Sequence, residues 1–86
     1  MLKVTKYGAE WCAPCKLLSP IFKMISESTE GVEFVSVDID EEPELSTTMN
    51  IRSVPTLIFE KDGAVVDSMV GLAKEQDIRD RIEGLK

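Results

Sequence analysis

Two cysteines, Cys12 and Cys15, sit two residues apart in the stretch GAEWCAPCKLLSP, and the chain has no others. A pair at this spacing can exchange disulfides, supply half of a metal site, or pack as two small apolar side chains. Exchange has specific needs. A sulfur at the opening of a helix meets backbone N–H groups without partners and the positive end of the helix dipole, and both favour thiolate over thiol. Cys12 is placed at such an opening and Cys15 one turn inside. With two residues between them, the second sulfur can reach the first. Cys12 is therefore the candidate nucleophile towards a substrate disulfide, and Cys15 the candidate resolver of the mixed disulfide that results. Pro14 restricts the intervening loop and, in the first helical turn, removes only a donor that had no partner.

The other two chemistries fit less well. A structural zinc ion takes four ligands, and this chain offers two cysteines and no histidine, so only a site shared between two copies would serve. Inert buried thiols are compatible with burial statistics, yet Cys12 lies in a polar turn beside Trp11. A Cys-x-x-Cys near a βαβ pattern reads as a redox motif.

The pattern on either side supplies that βαβ frame. Lys3–Tyr7 reads as a strand. A helix follows from the cysteines to about Ser28, its apolar stripe being Leu17, Leu18, Ile21, Phe22 and Ile25. Pro20 interrupts the stripe, and a kink without termination is expected because the stripe resumes. Val32–Asp40 alternates as a strand. EEPELSTTMN reads as a short helix with Pro43 in its first turn and Asn50 near its end. Thr56–Phe59 and Ala64–Met69 are strands around KDG, where Asp62-Gly63 signals a hairpin. A last helix covers about Lys74–Leu85, with Ile78, Ile82 and Leu85 on one face. The order β-α-β-α-β-β-α implies an α/β fold: a small mixed sheet, one right-handed parallel crossover, and helices on both faces.

At 86 residues the chain is read as one domain, 1–86. Its 43% hydrophobic and 30% charged residues are those of an ordinary globular protein. A formal net charge of −6 argues against general nucleic-acid binding, which needs basic surface. No apolar run approaches the roughly 20 residues that span a bilayer. Lysines stand where a signal peptide would need an apolar core. The expectation is a cytoplasmic protein that binds neither membrane nor metal and acts as a monomer.

With AEWCAPCK in view, the chain resembles the thioredoxin family, whose hallmark is Trp-Cys-Gly-Pro-Cys-Lys; Ala13 stands where glycine is usual. Ser53–Thr56, SVPT, resembles the family's cis-proline segment, which lies across from the cysteines and pairs with extended substrate peptide. Val70–Gly71–Leu72 resembles its third substrate-contacting loop, Pro20 its helix-kinking proline, and VDIDEEPELSTTMNIRSVPT follows the family pattern throughout. The resemblance implies a protein dithiol–disulfide oxidoreductase in which Trp11, Ala13, Pro14, Val54, Pro55, Gly71 and Leu72 form the docking surface. It implies no bound cofactor beyond the cysteine couple. Electrons would come from a thioredoxin reductase or similar donor and pass to disulfide-containing proteins such as ribonucleotide reductase.

Two departures matter. A typical thioredoxin begins with a further strand and helix, so four strands are expected here, with Val32–Val37 as an exposed edge that nearby acidic residues protect. The family's buried aspartate aligns with Lys6, and its lysine partner with Ser36. Lys6 is thus a candidate modulator of Cys15, by attraction to a thiolate. Alternatively its stem lies on the core with the ammonium in solvent. Lys16 is a second candidate modulator. Ala13-Pro14 adds no charge beside Cys12, so a reductant is expected, with a potential below that of isomerases at roughly −180 mV. Two other functions fit the same features. One is a glutathione-dependent glutaredoxin, with Lys16 and Arg52 as candidates for the glutathione carboxylates. The other is a docking module whose redox chemistry is incidental.

Overall fold

In the computed structural model, which describes residues 1–86, the seven elements follow in the expected order. They are β1 (Leu2–Gly8), α1 (Ala13–Ser28), β2 (Val32–Asp38), α2 (Pro43–Thr48), β3 (Thr56–Lys61), β4 (Ala64–Val70) and α3 (Glu75–Leu85). The sheet order is β2-β1-β3-β4. β1 runs parallel to β2 and antiparallel to β3, and β4 closes the hairpin antiparallel to β3. No helix is long and apolar enough to cross a membrane.

Strand periodicity divides β1 between two faces. Leu2 and Val4 meet Leu57 and Phe59 of β3, Leu18, Phe22 and Ile25 of α1, and Ile78 and Ile82 of α3 in one buried cluster. α1 and α3 therefore share a face. The segment leaving α2 lies over the opposite face, where Met49 and Ile51 share a shallow pocket with Thr56, Ile58 and Val65. Cutting Ile25 or Ile78 back to alanine removes a fully buried side chain, a change worth about 2–5 kcal/mol.

Most sequence boundaries move by one or two residues. α1 passes through Pro20 without a break. Leu17 does not belong to the buried stripe: it is 61% exposed while Leu18 is fully buried. The 3.6-residue period explains this, because Leu18, Phe22 and Ile25 line one side and Leu17 lies about 100° away. β2 stops at Asp38 rather than Asp40 because the Asp38 carboxylate accepts the Asp40 N–H at 2.8 Å, turning the chain out of the strand. Lys74 is the N-cap of α3, not part of it. At the hairpin Asp62 and Gly63 have φ of 53° and 87°, the two positive values that a two-residue turn of type I′ requires.

Candidate active site

The site forms where β1 delivers the chain into α1. Cys12 is the N-cap of α1, extended at φ −93° and ψ 109°, and its sulfur accepts the Cys15 N–H at 3.2 Å. That hydrogen bond meets one of the donors a helix start leaves open. The two sulfurs are joined as a disulfide, with the Cα atoms 5.3 Å apart. Both cysteines are buried, with Ala9, and Ile39 and Val54 pack against them. Cys12 lies in a turn that reads as polar, yet the fold covers it.

Two openings flank the pair. The front one is a groove of about 310 Å³ lined by Trp11, Ile39, Ile51, Arg52, Ser53 and Val54. Trp11 is 68% exposed, yet it is oriented, because its indole N–H donates to the Asp40 carboxylate at 2.8 Å. The Val54–Pro55 peptide bond is cis. Pro55 is buried, and its carbonyl accepts the Gly71 N–H at 2.8 Å. Gly71 has φ 90°, a conformation that L side chains rarely adopt, so glycine suits this turn.

The rear opening is a cavity of about 670 Å³ reached by Lys6, Gly8, Cys15, Ser19, Ser36 and Asp38, among others. Lys6 projects from β1 towards α1. Its ammonium donates to the Ser19 hydroxyl at 2.6 Å and lies 5.8 Å from the centre of the Phe22 ring. Ser19 in turn donates to the Cys15 carbonyl at 3.0 Å. Burial pulls the Lys6 pKa below its ordinary value. The side chain is half-buried, so its ammonium is not simply out in solvent. β1 comes close to the cysteines at Gly8, where a Cβ would stand 3.3 Å from the Cys15 sulfur.

The structure brings most of the expected residues together, though not all. Trp11 and Val54 share the front groove, and Pro55 is hydrogen-bonded to Gly71. Ala13 and Pro14 are exposed at the helix start. Leu72 is exposed and lines neither opening. Lys16 belongs to the rear cavity and Arg52 to the front groove, so the two do not converge on one ligand. Sequence reasoning missed Gly8, Ser19, Ile39 and Asp40. Of these, Ser19 had a signal, lying one helical turn after Cys15 and so facing the same way. No group of three or more Cys, Asp or Glu side chains is arranged to hold a metal ion.

A cysteine pair at a helix start that closes as a disulfide can exchange with a second disulfide. Comparisons with known proteins agree with that chemistry. The thioredoxin family model matches residues 2–84. A thioredoxin of Mycoplasmoides gallisepticum is 36% identical over 80 residues, covering 93% of this chain and 80% of that protein. The thioredoxin of Fasciola hepatica superposes with a TM-score of 0.93 at 33% identity, over 99% of this chain and 81% of its own. A thioredoxin of Halobacterium salinarum gives 0.92 at 34% identity, over 96% and 73%.

Proposed function

The chain belongs to the thioredoxin family, and from that membership we propose that Cys12 is the attacking and Cys15 the resolving sulfur of its protein dithiol–disulfide exchange. The reaction class is that of the family, disulfide oxidoreduction. The observation that carries the assignment of roles is the Cys15 N–H held on the Cys12 sulfur at the N-cap of α1. A thiolate on Cys12 gains from that donor and from the positive end of a 16-residue helix. Cys15 sits further inside, and no hydrogen bond reaches its sulfur.

In the forward direction, the Cys12 thiolate attacks one sulfur of a substrate disulfide and releases the other as a thiol. The Cys15 sulfur then attacks Cys12, the Cys12–substrate bond breaks, and the Cys12–Cys15 disulfide remains. Two electrons pass to the substrate, and a reductase restores the dithiol. Trp11, Ala13, Pro14, Val54, Pro55, Gly71 and Leu72 are the docking surface, with the backbone at Val54–Pro55 available to an extended peptide. Asp40, hydrogen-bonded to Trp11 at the groove, and the acidic residues around it would bias which proteins approach. The protein is read as a single domain, 1–86, acting as a cytoplasmic monomer and a reductant. It uses no cofactor beyond the couple. Its donor is a thioredoxin reductase or similar flavoprotein, and its targets are disulfide proteins of the ribonucleotide reductase kind.

Insulin disulfide reduction tests this, once with NADPH and thioredoxin reductase and once with NADPH, glutathione reductase and glutathione, with Cys12→Ser as control in both. Turnover in the first arm alone is expected. Turnover in the second alone would make the protein glutathione-dependent. If both stay silent while dithiothreitol drives reduction, the donor is a different one; silence even then leaves a docking role.

A further inference from the structure

The protein's ion pairs join Met1 to Asp62, Arg79 to Glu75, Arg81 to Asp67 and Lys86 to Glu83, so in the rear cavity Lys6 has no ion-pair partner. Its ammonium has three N–H donors, and the hydrogen bond to Ser19 accounts for one. A half-buried ammonium with only neutral partners is costly unless charge of the opposite sign comes near. In the same cavity the Cys15 sulfur is a latent anion, neutral in the disulfide and ionisable once the disulfide opens. Ser19 ties the two together structurally, because its hydroxyl accepts from Lys6 and donates to the Cys15 carbonyl.

We propose that Lys6 is a positioning residue for resolution: it supplies the positive charge that favours the thiolate of Cys15 after the disulfide opens. The proposal rests on the assignment of Cys15 as the resolving sulfur. In the mixed disulfide, the Cys15 thiol gives its proton to water in the cavity. The thiolate then attacks the Cys12 sulfur, forming the Cys12–Cys15 bond and breaking the Cys12–substrate bond. The departing substrate sulfur carries away the electron pair and takes up a proton from solvent. Lys6 stays protonated throughout.

The surroundings of Lys6 favour this role. Its direct neighbours across the sheet, Ser36 on β2 and Leu57 on β3, are uncharged. From α1 it meets Ser19 and Phe22. The remaining charged groups at the cavity are Lys16 on α1, Glu10 before it, Asp38 at the end of β2 and Glu41 beyond. Lys16, Glu10 and Glu41 are exposed, and water screens them. Asp38 is half-buried and keeps its charge, with one oxygen accepting the Asp40 N–H, but it makes no ion pair with Lys6.

The test is a thiolate titration of Cys15 in a Cys12→Ser background, followed by ultraviolet absorbance, with Lys6 intact or changed to Met, Gln or Arg. In Lys6→Met and Lys6→Gln the thiolate-to-thiol ratio at a fixed pH should fall roughly three- to tenfold, while Lys6→Arg should keep it. With both cysteines present, the pH profile of mixed-disulfide resolution should move to higher pH in the same two variants. Lys6→Gln keeps an N–H for Ser19 and removes only the charge, so it decides the matter if Lys6→Met does not fold. An unchanged titration in Lys6→Gln would overturn the proposal. Titration needs no turnover: a chain that titrates as expected but reduces no insulin would overturn the functional reading, and with it the role in resolution, leaving only the effect of the Lys6 charge on the Cys15 thiolate.

Discussion

The two openings beside the cysteine pair are built from different materials. In front, Trp11, Ile39, Ile51 and Val54 make a groove with a single charged side chain, Arg52. Behind, Lys6, Lys16, Glu10, Asp38 and Glu41 surround a wider space with few hydrophobic side chains. The front can bury an extended apolar peptide, where exposed aromatic surface gives contact area at low entropic cost. The rear can hydrate and polarise a sulfur but offers a protein partner little to bury. On the proposed reading, binding falls to the front and protonation to the rear, and each is expected to change without disturbing the other.

That separation can be broken or sharpened by substitution. The largest effect is expected from Cys15→Ser, which leaves the front intact and removes the rear nucleophile. Turnover of insulin should fall by roughly a hundredfold or more, with a covalent adduct on Cys12 that dithiothreitol releases. Mass spectrometry of the stalled protein checks this, and free Cys12 after exposure to substrate would contradict it. Trp11→Ala comes next. It removes front contact area alone, so kcat/KM should drop roughly tenfold through KM, with the Cys15 titration unmoved. A shift in that titration would mean that the two sides are not independent.

Gly8→Ala acts from the rear. The new methyl would stand 3.3 Å from the Cys15 sulfur, closer than most such contacts, so the sulfur must yield. A cost of about 1 kcal/mol in melting experiments is expected, together with slower resolution at constant KM. The smallest effect lies far from either opening. Asp67 on β4 accepts the Ser68 N–H at 2.8 Å and pairs with Arg81 at 2.7 Å, and these lower its pKa, the backbone donor first. A carboxylate depressed in the folded state adds stability above its unfolded pKa and loses it as pH falls through the folded value. Asp67→Asn should therefore lower stability at neutral pH by about 0.5 kcal/mol or less, the pair being partly exposed. The difference should vanish on acidification below the ordinary aspartate range, as denaturant melts at the two pH values would reveal. Activity should be untouched.

Much of the frame was legible from local signals. The apolar periods located most of the elements, Pro43 and Asn50 marked α2, and Asp62-Gly63 gave the turn because positive φ is affordable there. The cysteine spacing and Pro14 located the helix start for the same kind of reason: capping and dipole effects act within one turn. The misreadings were also local in origin. Leu17 was counted into the stripe because adjacent leucines cannot be told apart by type, and only packing against β1 and α3 selects Leu18. Strand β2 was read two residues long because alternation continues through Ile39, while the Asp38 side chain bends the backbone.

What the sequence determined by itself is the chemistry on offer and the order of elements, since residue type, spacing and periodicity are properties of neighbouring positions. What only the tertiary structure decided is which distant residues meet. The bond from Gly71 to the Pro55 carbonyl joins residues 16 apart in the chain, and the Trp11 bond to Asp40 crosses 29. Lys6 reaches Ser19 across 13 residues and so comes to share a cavity with Cys15. A parallel crossover brings β1 and α1 face to face, and no local pattern encodes the side-chain distances that follow from it.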